Sequence, residues 1–354
     1  MDFLNDTLGI FIDPEQRVFW PGLLVAGVLA ALAGGQLRRF LDPKLWTHPS
    51  AVLDYALLVA NAAIRGLVIA PLGLSAFALA VGVVDSLDRA FGIPTAPSLS
   101  TASITALYTV ALFVCWDLSR YLVHRLLHQV PALWAIHKVH HSAQVMTPLT
   151  LFRVHPIERL LLGVRGILVT GIVTGLFFYV FRARAIQYEL LGVNVLGIAF
   201  NLLGSNLRHS HVWLTYGRYV EHLFISPAQH QIHHGTEMHE QMSNYGTWLA
   251  LWDWLGGSLR LANDDTRPAG FGLARVDANH DPHGLVSALL GPFGFRPGPG
   301  NHSSPSSESS SSESSSSESS SSESSSSSSG GGTLALSSPA FGSDSRSASI
   351  HSKL

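Results

Sequence analysis

HRLLHQVPALWAIHKVHH, from His124 to His141, places five histidines in eighteen positions directly after the apolar run Ala102 to Val123. Residues three and four apart share one face of an α-helix. HRLLH therefore points His124 and His128 the same way, and HKVHH points His137, His140 and His141 the same way. A second HxxHH comprises His230, His233 and His234. Of the 18 histidines, thirteen lie between His124 and His239. At this histidine content one HxxHH arises by chance on the order of once in ten thousand positions, so two of them plus HxxxH is no accident of composition.

Clustered protonated imidazoles repel one another. Neutral imidazoles around a metal do not, and metal binding expels their protons. The pattern reads as a metal site. The single cysteine, Cys115, excludes an intramolecular disulfide and any thiolate cluster, and in its apolar run it reads as a small core residue. HExxH is absent, so the zinc-protease pattern fails. Eight imidazoles are too many for one ion and fit two. Imidazole-rich sites suit iron, copper, nickel or zinc. Two redox-active ions beside a membrane point to oxygen activation on a lipid chain.

The membrane reading rests on composition. The chain is 47% hydrophobic and 13% charged, where a soluble domain carries about 25% charged residues. A net charge of -2 gives no basic field for nucleic acid. The start, MDFLND, is acidic and unlike a cleaved signal peptide. Apolar runs cover Phe19 to Gly35, Ala51 to Val84, Ala102 to Val123 and Leu160 to Phe181, the last turning at RARA and returning as Ile186 to Leu207. The second, broken by Asp54, Arg65 and Pro71, would be about 50 Å long as one helix, more than a ~30 Å hydrocarbon core needs. It is one span with an interfacial extension or two short spans. Arg38, Arg39 and Lys44 place the first loop in the cytoplasm; one crossing by Ala51 to Val84, the favoured reading, then returns His124 to the cytoplasmic face, whereas two crossings would turn the histidines outward. Arg182 and Arg184 run against this orientation.

The expected fold is all-α: a polytopic, multi-pass helical membrane protein with a cytoplasmic His-rich helical cap. Residues 1–100 form N-terminal membrane helices, 101–262 the histidine domain, 263–300 a Pro/Gly-rich extension, and 301–354 a disordered tail. The tail is built of SSSSE units between Ser303 and Ser329, which hold no large apolar residue to offset the entropy of ordering. The final SKL resembles a peroxisomal address, a minor alternative to the cytoplasmic-face membrane location.

Beyond the histidines, Asp117 and Tyr121 precede HRLLH, Trp134 precedes HKVHH, and RVHPIE, RHSH, SPAQHQIHHG and SNYGTWLALWD follow in order. Together, from about Ala102 to Leu261, these stretches resemble the sterol desaturase/fatty acid hydroxylase superfamily of membrane di-iron enzymes. The resemblance implies two iron ions held by His124, His128, His137, His140, His141, His230, His233 and His234, with His209 as a ninth ligand. His211 stands where the family often has Asn, which leaves open whether His209, His211 or both bind metal. It also implies supporting groups. His155 is an inner or outer group at the metals, or else makes a helix-start hydrogen bond. Asp117 accepts the second N–H of a ligand histidine, or else pairs with Arg120 or Arg125. Asn244 does similar work. His222 and His239 read as ordinary polar residues. Where the family reads FGT after its WD, this chain has WLGGS, with Gly256 in place of Phe, a packing change that removes no ligand.

The implied activity is hydroxylation of a fatty acyl, sterol or ether-lipid C–H bond with dioxygen. Desaturation at the same centre is the alternative, and a non-catalytic metal-binding protein or a metal transporter is the rival of another class. No GxGxxG is present, so electrons are expected from a partner: a cytochrome b5-like protein, a ferredoxin or a reductase.

Overall fold

The computed structural model describes residues 9–295 apart from 14–15, 17, 65–74, 183–188, 191–192 and 274–282. The Ser-rich tail, the SKL end and part of the Pro/Gly-rich extension lie outside the described residues. The described chain is helical, as expected, with one two-stranded antiparallel ribbon, Glu189–Leu190 against Val193–Asn194.

The helices are α1 (Trp20–Leu32), α2 (Pro49–Ile64), α3 (Ala76–Phe91), α4 (Thr101–Gln129), α5 (Pro131–His141), α6 (Pro156–Phe181), α7 (Val195–Leu202), α8 (Pro227–His233), α9 (Leu251–Gly256) and α10 (Leu285–Leu290), with shorter turns between. Their ends follow local chemistry. Ser100 caps α4 through Ser103 N–H, and Ser226 caps α8 through Gln229 N–H. Pro131 and Pro156 open α5 and α6, where a missing N–H costs nothing.

Among the described residues, two helices, α4 and α6, are long and apolar enough to cross a membrane. They pack through Tyr108, Leu112 and Val173, and Tyr108 and Thr174 share a hydroxyl hydrogen bond of 2.7 Å. Such a bond between membrane helices contributes roughly 1 kcal/mol. Outward faces stay apolar, with Leu107, Val110, Leu168, Ile172 and Leu176 exposed. Cys115 is exposed on α4 and is not the core residue expected; on a lipid-length helix an apolar surround does not imply burial.

The run Ala51 to Val84 resolves as two helices, α2 and α3, of 16 residues each. α3 lies against α6 at close range: a Cβ on Gly175 would come within 2.8 Å of the Ala80 carbonyl oxygen. Small residues permit this approach. Beyond α6, Arg182 adopts φ 53° and pairs with Asp88 of α3 at 3.0 Å. Among the described residues the returning limb, Ile186 to Leu207, holds one α-helix, α7, eight residues long, and a 3-10 turn at Ser205–Leu207. At 1.5 Å per residue α7 is about 12 Å long, too short for a span.

α2 packs into the histidine domain. Leu53 and Leu57 share a cluster with Val139 and Ala288, and Asn61 donates to the Val154 carbonyl at 2.8 Å.

Candidate metal centre

Three helices carry the histidines inward. α4 supplies His124 and His128, α5 supplies His137, His140 and His141, and α8 supplies His230 and His233, with His234 as its C-terminal cap residue. His209 enters from the segment after the short turn Ser205–Leu207. All nine are buried, and they form two groups: His124, His128, His137, His141 and His233 in one, His140, His209, His230 and His234 in the other. Within each group the candidate ligand atoms lie within 4.8 Å of one another.

The division refines the expectation from spacing. HxxHH does not point three imidazoles at one centre. On α5, His137 and His141 join the first group and His140 the second; on the α8 segment, His233 joins the first group and His230 and His234 the second. Residues i and i+4 differ by about 40° around the helix and i+3 and i+4 by about 100°, so one turn can face two centres.

Ring orientation is fixed from behind. The Nδ1 atoms of His124 and His233 lie 2.7 Å from the carbonyl oxygens of Tyr245 and Ser243. His137 Nδ1 lies 3.0 Å from Glu158 Oε1, and His140 Nδ1 3.2 Å from the Arg153 carbonyl oxygen. An oxygen acceptor requires the proton on Nδ1, which leaves the Nε2 lone pair facing inward. His124 Nε2 and His233 Nε2 then stand 3.1 Å apart with no proton between them. His128 Nε2, His137 Nε2 and His234 Nε2 are buried without a hydrogen-bond partner, as are both ring nitrogens of His141. Converging, desolvated lone pairs are costly unless a cation lies among them. The donor set fits two metal ions of the imidazole-binding kind, iron included.

Burial favours the neutral form of several of these rings. Burial pushes His140, His141, His230 and His234 well below the usual imidazole range, and neighbouring imidazoles push the same way. His233 falls to about 3, by burial and the nearby His137, against the pull of the Ser243 carbonyl.

The supporting candidates divide. Asp117 touches neither a histidine nor an arginine by hydrogen bond; it accepts from Trp248 and Leu249 N–H, both at 3.0 Å, and from the Trp252 indole at 2.9 Å. It seats the 245–252 segment, whose Trp248 stacks on Phe113 and Trp116 of α4, and so sets the Tyr245 carbonyl that meets His124. Asn244, at φ 54°, joins α8 to the chain beyond it: its side-chain N–H donates to the Gln229 and Arg260 carbonyls, both at 3.0 Å, and its oxygen accepts Arg260 N–H at 2.8 Å. His155 stands outside both groups. It caps α6, accepting Ile157 N–H at Nδ1, and its Nε2 meets the Leu289 carbonyl. His211 also lies outside, its Nε2 accepting Met146 N–H at 3.3 Å. His222 bonds the Arg218 carbonyl at the surface, and His239 is exposed.

Two residues of RVHPIE were not singled out from sequence. Glu158 faces His137, and Arg153 supplies the carbonyl for His140. The stretch anchors one ring of each group. A carboxylate in the first turn of a long apolar helix, one turn after a His-rich helix, was the available signal for Glu158.

Residues 109–258 match the family model described as fatty acid hydroxylase. The chain is 28% identical over 152 residues to alkylglycerol monooxygenase of Homo sapiens, covering 43% of this chain and 30% of that protein. It is 27% identical over 156 residues to an ornithine lipid hydroxylase of Rhizobium tropici, covering 43% of this chain and 42% of that protein. It is 30% identical over 154 residues to Delta(7)-sterol 5(6)-desaturase of Leptosphaeria maculans, covering 42% of this chain and 36% of that protein. The matched part thus spans well under half of each of these relatives. No solved structure matches.

Proposed function

We propose, for a chain whose segment 109–258 belongs to the sterol desaturase/fatty acid hydroxylase superfamily, that it is a membrane-bound lipid hydroxylase that uses dioxygen at two irons on the cytoplasmic face. The observation that carries this reading is the pair of buried histidine groups at the foot of two membrane-length helices. Iron bound there supplies oxygen activation and oxidation of an unactivated C–H bond. The nine histidines His124, His128, His137, His140, His141, His209, His230, His233 and His234 are its ligands.

The chain's own part is geometry. α4 and α6 offer apolar surface along which an acyl or alkyl chain can lie. Tyr245, Ser243, Glu158 and Arg153 hold the rings so that binding needs little reorganisation. Burial of both groups excludes water from the reacting atoms. Electrons come from an external donor, a cytochrome b5-like protein, a ferredoxin or a reductase. The substrate is a lipid with a long chain or ring: an ether lipid, an aminoacyl lipid or a sterol, by analogy with the relatives' names. Desaturation is the second reading, favoured by the likeness to a sterol desaturase.

The test is mass spectrometry of total lipids from cells expressing the wild type or His233→Ala under labelled dioxygen. A lipid that gains one labelled oxygen only with wild type supports the hydroxylase. A lipid that loses two hydrogens makes the protein a desaturase. An unchanged lipid profile together with an iron-free purified chain overturns both.

A further inference from the structure

We propose that Asp54, on a helix with no histidine and outside the matched segment, is a positioning residue for the second histidine group, acting through Arg153. The inference rests on the reading that both groups bind metal.

The connection is continuous. Asp54 and Arg153 form an ion pair of 3.0 Å with both side chains 0% exposed. The other Asp54 oxygen accepts from Thr150 Oγ1 at 2.6 Å. The rest of the guanidinium is spent on the end of α5: Nε donates to the Val139 carbonyl and to Ser142 Oγ, both at 3.0 Å, and Nη2 donates to Ser142 Oγ at 2.8 Å. Nη1 also donates to the Ser50 carbonyl at 2.9 Å. Val139 and Ser142 bracket His140 and His141. The Arg153 carbonyl, in turn, accepts the Nδ1–H of His140.

Arg153 therefore grips α5 twice, by its side chain at the helix end and by its backbone at His140. A fully buried cation stays in place only beside a counter-charge, and Asp54 supplies it. Without Asp54 the guanidinium must seek water, and the carbonyl that orients His140 moves with it. The first group depends on this grip less: His141 shares the helix end, but His137 on the same helix has its own anchor in Glu158 and the rings of His124 and His233 are set by Tyr245 and Ser243. The effect is accordingly larger at the second group.

Cobalt(II) titration of the full-length, metal-stripped protein in lipid nanodiscs tests this, read by visible absorption and metal content. Wild type is expected to take up two cobalt ions. In Asp54→Ala one step weakens little and the other is about 10–100-fold weaker, the usual cost of losing an orienting group behind a ligand. In Thr150→Val, which keeps the ion pair and removes the hydroxyl's bonds to Asp54 and from Thr147 N–H, the same step weakens by a smaller factor. If Asp54→Ala does not fold, Thr150→Val decides alone. The proposal is overturned if a folded variant binds both ions as wild type does, or loses both steps equally. Uptake of fewer than two ions by wild type overturns the metal reading itself and this inference with it.

Discussion

The two histidine groups draw on the same two HxxHH segments yet are supported differently. In the first group three rings are anchored from behind, by the Tyr245 and Ser243 carbonyls and by Glu158, all at 3.0 Å or less. In the second, His140 has the longer 3.2 Å contact to Arg153, while His209 Nε2 meets His140 Nε2 at 3.3 Å and His230 Nε2 at 3.1 Å. The first group leans on neighbours within the central motifs. The second leans on a buried ion pair reaching back to α2. A motif repeated in sequence does not bring repeated support, and the two groups should respond differently to perturbation.

The largest expected difference comes from Glu158. Glu158→Ala removes the acceptor of His137 Nδ1–H and frees that ring to rotate. Metal affinity at the first group should fall about 10–100-fold, with the second group spared, the mirror image of Asp54→Ala. Glu158→Gln keeps an acceptor oxygen and should retain most of the affinity. The same cobalt titration reads both, and equal weakening of both steps in Glu158→Ala would erase the distinction between the groups.

That distinction was not legible in the sequence, though much else was. The ligand candidates were, because i+3 and i+4 spacing is local and α4, α5 and α8 form where serine and proline start them. The partition of each HxxHH between two centres was not, since it depends on how α5 and α8 face each other. Nor were the anchors: Glu158 lies 21 residues from His137 and Arg153 lies 99 from Asp54, and nothing local pairs them. His155 drew attention because histidine resembles a ligand, while its neighbours Arg153 and Glu158 orient the rings. The neighbouring sequence pairs Asp117 with arginines or histidines, but its partners are two backbone N–H groups and an indole more than a hundred residues away.

Acid provides a second test, which acts on both groups at once and so does not separate them. His233 has a folded value of about 3 against an ordinary 6.5. Between these values the unfolded chain binds a proton that the folded chain does not, so this contribution is full above 6.5 and is lost as pH falls toward 3. His140, His141, His230 and His234 shift in the same direction. Asp54 and Asp253 oppose them: burial raises each to about 6 from 3.8, so their contributions grow as pH falls through that interval. Each group changes stability by about 1.4 kcal/mol per pH unit inside its window, and the five histidines outnumber the two carboxylates. The metal-stripped protein should therefore lose thermal stability steadily from pH 7 to pH 4. A midpoint that stays flat or rises would mean the rings are solvated and not gathered as described.

The smallest effect belongs to Gly256, and it touches the first group alone. Gly256, where the resemblance leads one to expect Phe, changes the packing of α9 on α4. A Cβ at this position would overlap the Tyr121 hydroxyl and come within 2.6 Å of Arg125 Nη1. That arginine donates to the same hydroxyl at 2.8 Å and to the Gly256 carbonyl at 2.9 Å, so α9 is drawn onto α4 where only hydrogen fits. Gly256→Ala must push Tyr121 aside, at an overpacking cost of about 1–3 kcal/mol, or a few degrees in the thermal midpoint. The Tyr121 ring rests edge-on against Tyr245 at 6.4 Å, and the Tyr245 carbonyl holds His124. A displaced Tyr121 should therefore weaken the first cobalt step a few-fold and leave the second as it was. Tyr121→Phe in the Gly256→Ala background removes the colliding oxygen, and recovery of both stability and the first step would tie the glycine to that contact. Failure to recover would place the strain at Arg125 instead, where Arg125→Ala is the variant that relieves it.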